Sequence, residues 1–86
     1  MPELRFDERA WEEYLDAQQD KALIKRINAL IKESMRTPFS GKGKPEPLRY
    51  GESNVWSRRI TNEDRLVYLV EKDAVTILQC KGHYDD

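Results

Sequence analysis

Residues 40–61 read SGKGKPEPLRYGESNVWSRRIT, and across them the chain passes from helical to strand periodicity. The first half holds residues that disfavour a helix: Gly41 and Gly43, and Pro45 and Pro47 with their fixed φ angles. The second half, from Val55, is rich in β-branched and aromatic residues, as strands are. The polar content of the stretch is hard to explain by packing. Lys42, Lys44, Glu46, Arg58 and Arg59 lie close together in sequence, a combination suited to gripping phosphate and moving a proton.

Upstream, the alternation Glu3-Leu4-Arg5-Phe6 predicts a short edge strand. Asp7 can cap a following helix, with Glu8, Glu12 and Glu13 near its positive N-terminal end. Ala10, Trp11, Tyr14 and Leu15 recur at helical spacing and read as its core stripe. Gln18-Gln19-Asp20 interrupts the pattern, and Asp20 can cap a second helix. There Leu23, Ile24, Ile27, Leu30 and Ile31 form an i, i+3, i+4, i+7 stripe, while Lys21, Lys25, Arg26 and Lys32 lie elsewhere on the surface. Pro38 after Thr37 ends that helix near Met35 or Arg36, and the two helices are expected to form an antiparallel hairpin.

Downstream, strands are expected over Val55–Thr61, Arg65–Glu71 and Ala74–Cys80, joined by turns at Asn62-Glu63-Asp64 and Lys72-Asp73. Leu66, Tyr68 and Val70 alternate with Val67 and Leu69, so both faces of the middle strand are apolar and the sheet is expected to be covered on both sides there. The order strand, helix, helix, then consecutive antiparallel strands gives an α+β fold, a two-helix hairpin packed on an antiparallel β-sheet in a single domain spanning residues 1–86.

A chain of 86 residues buries roughly 60% of the surface its unfolded form exposes, so a shallow face is expected rather than a deep cavity. Met1 to Arg9 is a charged run without an apolar segment, and no stretch approaches membrane length, so neither a signal peptide nor a membrane partner is expected and a cytoplasmic setting follows. Cys80 is the one cysteine and His83 the one histidine, which excludes a disulfide within the chain and a Cys/His zinc site; no metal and no cofactor is expected. The net charge of −1 conceals a division. Residues 1–20 carry seven acids and two bases, residues 21–66 five acids and eleven bases, and residues 67–86 four acids and two bases. A basic middle of +6 between acidic ends of −5 and −2 can engage a polyanion locally.

Within that middle, Gly41-Lys42-Gly43-Lys44 lacks the length and the closing Lys-Ser or Lys-Thr of a P-loop. It reads as a basic loop in which Lys42 and Lys44 meet phosphate. Arg58 and Arg59 are successive strand residues and point to opposite faces, so one of them serves a given site. Arg59 is the choice: if the turn pairs Thr61 with Arg65, Arg59 and Arg65 fall on one face as two cationic forks. Glu46, held between two prolines of fixed φ, reads either as a positioned carboxylate or as an exposed loop residue. With His83 and Tyr84 near the end of the sequence, these residues are a sufficient set for RNA cleavage through its own 2′-hydroxyl, which needs a base, cations for the transition state, an acid for the leaving oxygen and a group to hold the base.

The run TPFSGKGKPEPL, then WSRRIT, then RLVY, then the near-terminal HY, preceded by two charged amphipathic helices, resembles the YoeB toxins of the RelE superfamily over nearly the whole chain. The resemblance implies a RelE-like, microbial-ribonuclease-like α+β fold and a ribosome-dependent endonuclease that cuts mRNA in the decoding site. It also implies a cognate antitoxin of YefM type and a tendency to form homodimers. Carried over by residue, it places the general base on Glu46, the phosphate-stabilising arginine on Arg65 with Arg59 assisting, the general acid on His83 and the stacking or positioning tyrosine on Tyr84. This chain departs from the family pattern in the loop Arg49-Tyr50-Gly51-Glu52 and in Asp85 and Asp86, which follow the His-Tyr pair. The competing readings are a ParE-like toxin that binds DNA gyrase without cutting RNA, and an RNA-binding module that only occupies its target.

Overall fold

The computed structural model describes residues 2–48 and 53–82. The elements run β1 (Glu3–Phe6), α1 (Glu8–Ala17), α2 (Lys21–Arg36), β2 (Glu46–Pro47), β3 (Val55–Arg59), β4 (Arg65–Val70) and β5 (Ala74–Gln79). Both helices start where capping chemistry directs. The Asp7 carboxylate accepts from the Ala10 amide at 2.8 Å, and that of Asp20 from Leu23 at 3.1 Å, satisfying amides that have no partner within the helix. Between the helices lie only residues 18–20, and the Tyr14 hydroxyl donates across the pair to Asn28 Oδ1 at 2.7 Å.

The five strands form one sheet in the order β1-β5-β4-β3-β2. β3, β4 and β5 are the expected antiparallel meander, but β1 joins β5 in parallel, with Leu4 opposite Val75 and Phe6 opposite Ile77. The sheet is therefore mixed. A parallel neighbour needs a long crossover, and the chain from Phe6 through both helices and the meander supplies it. β3 stops at Arg59 because the amides of Ile60 and Thr61 turn to the carbonyl of Asp64. β5 stops at Gln79 because the Cys80 amide donates to the Glu13 carboxylate at 2.9 Å.

One face of the sheet carries Trp56, Arg58, Leu66, Tyr68, Val75 and Ile77, and it packs against Ala10, Ala17, Ile27, Leu30 and Ile31 of the helices. Burying this apolar surface is the main stabilising term. Trp11 and Leu15, expected in the core, are each 47% exposed. A ten-residue helix lying on a sheet turns only a narrow stripe inward, here Ala10 and Ala17 with Tyr14 beside them, and Trp11 instead stacks on Tyr14 at 5.8 Å between ring centroids. On the opposite face, Val67 and Val55 are also buried, but among the described residues no helix covers that side, so the expected cover by elements on both faces is not what the fold provides.

Candidate active site

Strand register decides which polar side chains share a face. Glu46 lies opposite Ser57, Ser57 opposite Val67, and Arg59 directly opposite Arg65. The pairing differs by two residues from the one expected, and because side chains alternate with period two the consequence is the same. Arg59 and Arg65 stand on one face, and Glu46 stands on it too. This is the face turned away from the helices. Diagonal neighbours on one sheet face lie about 7–8 Å apart, which is the relation between Glu46 and Arg59. Arg65 is one strand further. A phosphodiester between them would meet a carboxylate on one flank and two guanidinium groups on the other.

Glu46 is exposed, in a two-residue strand at the sheet edge. The prolines on either side fix their own φ and donate no amide to a neighbour, which limits β2 to this short pairing and sets the carboxylate at its tip. Arg65 is held differently. Its Nη1 donates to the carbonyls of Thr61 at 2.7 Å, Asp64 at 3.0 Å and Asn62 at 3.3 Å, so the base of the guanidinium is fixed in the turn. Its Nε and Nη2 have no partner among the described residues. The turn is itself stiffened: Thr61 Oγ1 accepts from the amides of Glu63 and Asp64 and donates to the Asp64 carboxylate.

That Asp64 carboxylate also accepts the Gly82 amide at 2.8 Å, and the Arg65 amide donates to the Gly82 carbonyl at 2.9 Å. Gly82, at φ +78°, is thus fastened beside Arg65, and His83 follows it in the sequence. His83 and Tyr84, the expected general acid and stacking ring, lie outside the described residues, as do residues 49–52 and the Asp85-Asp86 pair.

Arg58 is the residue that sequence reasoning left without a role. It is fully buried on the helix-covered face. Its Nε donates to the Tyr68 hydroxyl at 3.0 Å, its Nη1 to the Lys42 carbonyl at 2.7 Å, and its Nη2 to the carbonyls of Ser40, at 2.9 Å, and Thr37. The Tyr68 hydroxyl passes the chain of bonds on to the Pro38 carbonyl at 2.7 Å. Burial outweighs the Arg58 guanidinium and pushes the Tyr68 phenol above its ordinary pKa. Residues 37–42 are therefore wrapped around one guanidinium. The alternation Trp56, Arg58, Ile60 carried the signal, since it puts Arg58 in register with two apolar neighbours.

The glycines of the basic loop have a packing role of their own. A Cβ at Gly41 would collide with the Glu33 carboxylate, and one at Gly43 would press on Leu30, Arg58 and the Arg59 carbonyl. Both have positive φ, +101° and +83°. Gly43 lies close enough to β3 that its carbonyl accepts the Arg59 amide at 2.7 Å. Glu33 tightens the same region: hydrogen bonds from the Arg36 guanidinium and then from the Lys42 amide hold its carboxyl below the usual range. Lys42 and Lys44 remain exposed on the outside of the loop, with Lys44 at φ +52° two residues before Glu46.

Elsewhere, a cavity of about 190 Å³ is lined by Glu13, Asp16, Asp20, Asp64 and Cys80 among others. Burial, with Glu13 and Asp64 nearby, pushes the Cys80 thiol up to about 12, so it is not a nucleophile at neutral pH. Among the described residues no group of three or more His, Cys, Asp or Glu side chains is placed to hold a metal ion, and no helix is long and apolar enough to cross a membrane.

A family model described as the YoeB-like toxin of bacterial type II toxin-antitoxin systems matches residues 6–84. Toxin YoeB of Escherichia coli strain K12 is 54% identical over 82 residues, covering 94% of this chain and 98% of that protein. Among solved structures, the YoeB dimer from Staphylococcus aureus superposes with a TM-score of 0.89 at 41% identity, covering 96% of this chain and 98% of the other. The YoeB–YefM complex from the same organism gives 0.86 at 40% identity, covering 98% and 99%.

Proposed function

The chain belongs to the YoeB-like toxins of bacterial type II toxin-antitoxin systems, and from that premise we propose that it is an endoribonuclease that cuts mRNA on the ribosome and so inhibits translation. The observation that carries the reading is the shared open face of Glu46, Arg59 and Arg65 set by the β2–β3–β4 register. A carboxylate opposite two arginines is what in-line attack by a 2′-hydroxyl requires.

In this mechanism Glu46 removes the 2′-OH proton and the oxygen attacks the adjacent phosphorus. Arg65, with Arg59 assisting, neutralises the charge that gathers on the non-bridging oxygens. The bond from phosphorus to the 5′-oxygen breaks, and His83 gives that oxygen its proton. The products are a 2′,3′-cyclic phosphate and a 5′-hydroxyl, with every proton accounted for. Tyr84 holds or stacks the substrate, and Lys42 and Lys44 meet the flanking backbone. The open, shallow site gives an isolated chain little means of orienting RNA, so the decoding site of the ribosome supplies that orientation.

A cognate antitoxin of YefM type is the expected inhibitor, by analogy with the S. aureus complex, and the S. aureus dimer supports a homodimer for this chain. A cytoplasmic setting follows from the proposed ribosomal target. Primer extension on translated mRNA, with the unaltered chain and with Glu46→Ala, Arg65→Ala and His83→Ala, tests the assignment. New mRNA ends that vanish in the three variants are expected; full cleavage by all three would sink it.

A further inference from the structure

The basic surface does not stop at the open face. A groove of about 330 Å³ runs along the end of the β3–β4 hairpin, lined by Arg26 from α2 and by Arg59, Ile60, Thr61 and Asn62. Two guanidinium groups share this groove, and among the described residues no carboxylate lines it. Among the described residues neither Arg26 nor Arg59 has a side-chain hydrogen-bond or ion-pair partner, whereas Arg5, Arg9 and Arg36 each pair with a glutamate. The adjoining hollow shares Arg26 and Thr61 and contains Asp20, but that carboxylate is engaged at the Leu23 amide. Glu63 lies exposed on the same turn without entering the groove. Like charges facing one space repel, and the arrangement suits a multiply charged anion.

Resting on the ribonuclease reading, we propose that Arg26 and Arg59 form a second RNA-backbone site, so that the polynucleotide path continues from the Glu46 face around the hairpin end onto α2. Arg59 belongs to both sites and joins them. Arg26 is a binding residue only, since α2 lies on the far side of the sheet from Glu46. The ligand is a phosphodiester, either of the mRNA flanking the cut or of ribosomal RNA.

Equilibrium binding to ribosomes, empty or programmed with an mRNA whose 2′ positions are O-methylated, tests this without depending on cleavage. Arg26→Ala is expected to weaken association roughly five- to tenfold at 0.1 M salt and to make the salt dependence shallower by about one unit. Arg26→Glu weakens it further, and both variants keep the melting temperature of the unaltered chain. Lys72→Glu, an equal charge change in the turn at the other end of β4, is the control and leaves binding unaltered. A loss seen with empty ribosomes assigns the groove to ribosomal RNA, and one seen only with programmed ribosomes assigns it to mRNA. The proposal is overturned if Arg26→Glu binds like the unaltered chain, if Lys72→Glu weakens binding equally, or if Arg26→Glu loses affinity only for the antitoxin. Absence of cleavage by the unaltered chain on ordinary mRNA would overturn the ribonuclease reading alone, because the binding arm uses uncleavable RNA.

Discussion

Arg58 and Arg59 are neighbours in one strand, and the sheet sends them to opposite uses. On the helix-covered face Arg58 is fully buried and its donors are spent on the Thr37, Ser40 and Lys42 carbonyls and the Tyr68 hydroxyl. On the open face Arg59 is exposed, opposite Arg65 and diagonal to Glu46. The difference teaches that charge alone does not mark a site. A guanidinium engaged by backbone carbonyls and a buried hydroxyl holds a loop; one whose donors face solvent beside a carboxylate is available to a substrate.

The sharpest way to break that contrast is to delete each arginine in turn. Arg58→Ala leaves buried carbonyls and the Tyr68 hydroxyl without partners and is expected to cost about 3–5 kcal/mol of stability. Arg58→Lys does not restore it, because an ammonium lacks the planar fork that reaches four acceptors. Arg59→Ala should stay within about 0.5 kcal/mol of the unaltered chain. Urea denaturation measures both, and equal midpoint shifts would abolish the distinction.

Catalytic readouts should show the reverse order. Arg65→Ala is expected to slow cleavage on the ribosome about 100-fold or more, with Arg59→Ala slowing it less, while Arg58→Lys, assayed below its melting temperature, keeps most of the rate. Loss of activity in Arg58→Lys greater than in Arg65→Ala would place the phosphate ligand on the wrong face.

Gly43 links the two faces, being packed on Arg58 and bonded to the Arg59 amide. Gly43→Ala combines positive φ with a crowded Cβ and should cost about 1–3 kcal/mol. Gly82 has a similar φ of +78° but open space around it, so Gly82→Ala should cost only about 1–2 kcal/mol. Thermal melts of the two variants compare the packing of the two sites directly.

Much of this was legible in the sequence. Asp7 and Asp20 fixed both helix starts, the i, i+3, i+4 stripe of α2 named Ile27, Leu30 and Ile31, and the meander followed from alternation and turns. The common face of Arg59 and Arg65 rested on an assumed Thr61–Arg65 pairing, which has the parity of the true register though it lies two residues away. Other features depend on long-range geometry that local patterns do not contain. β1 pairs with the last strand, some 70 residues on, and nothing in four residues states whether it runs parallel. Trp11 and Leu15 obey helical spacing but fall outside the narrow stripe that reaches the sheet. Arg58 was missed because its acceptors are backbone carbonyls 16 to 21 residues earlier, and a carbonyl leaves no mark in a sequence.

A pH-dependent effect is expected on the covered face under alkaline conditions. The Cys80 thiol has an ordinary value of 9.0 and is pushed up to about 12 in the fold. Above pH 9 the unfolded chain loses a proton that the folded chain keeps, so stability falls as pH rises, at up to about 1.4 kcal/mol per pH unit. Denaturation midpoints between pH 8 and pH 10 should therefore fall more steeply for the unaltered chain than for Cys80→Ala. Parallel slopes would show that the thiol does not contribute.

The central claim is that the open face performs the chemistry, and Glu46 tests it most directly. In a single-turnover assay on programmed ribosomes, Glu46→Gln keeps the shape of the side chain and removes its basicity. The expected result is cleavage at least about 100-fold slower than with the unaltered chain, at the same urea midpoint. Cleavage by Glu46→Gln at the full rate, or no cleavage by the unaltered chain, would contradict it.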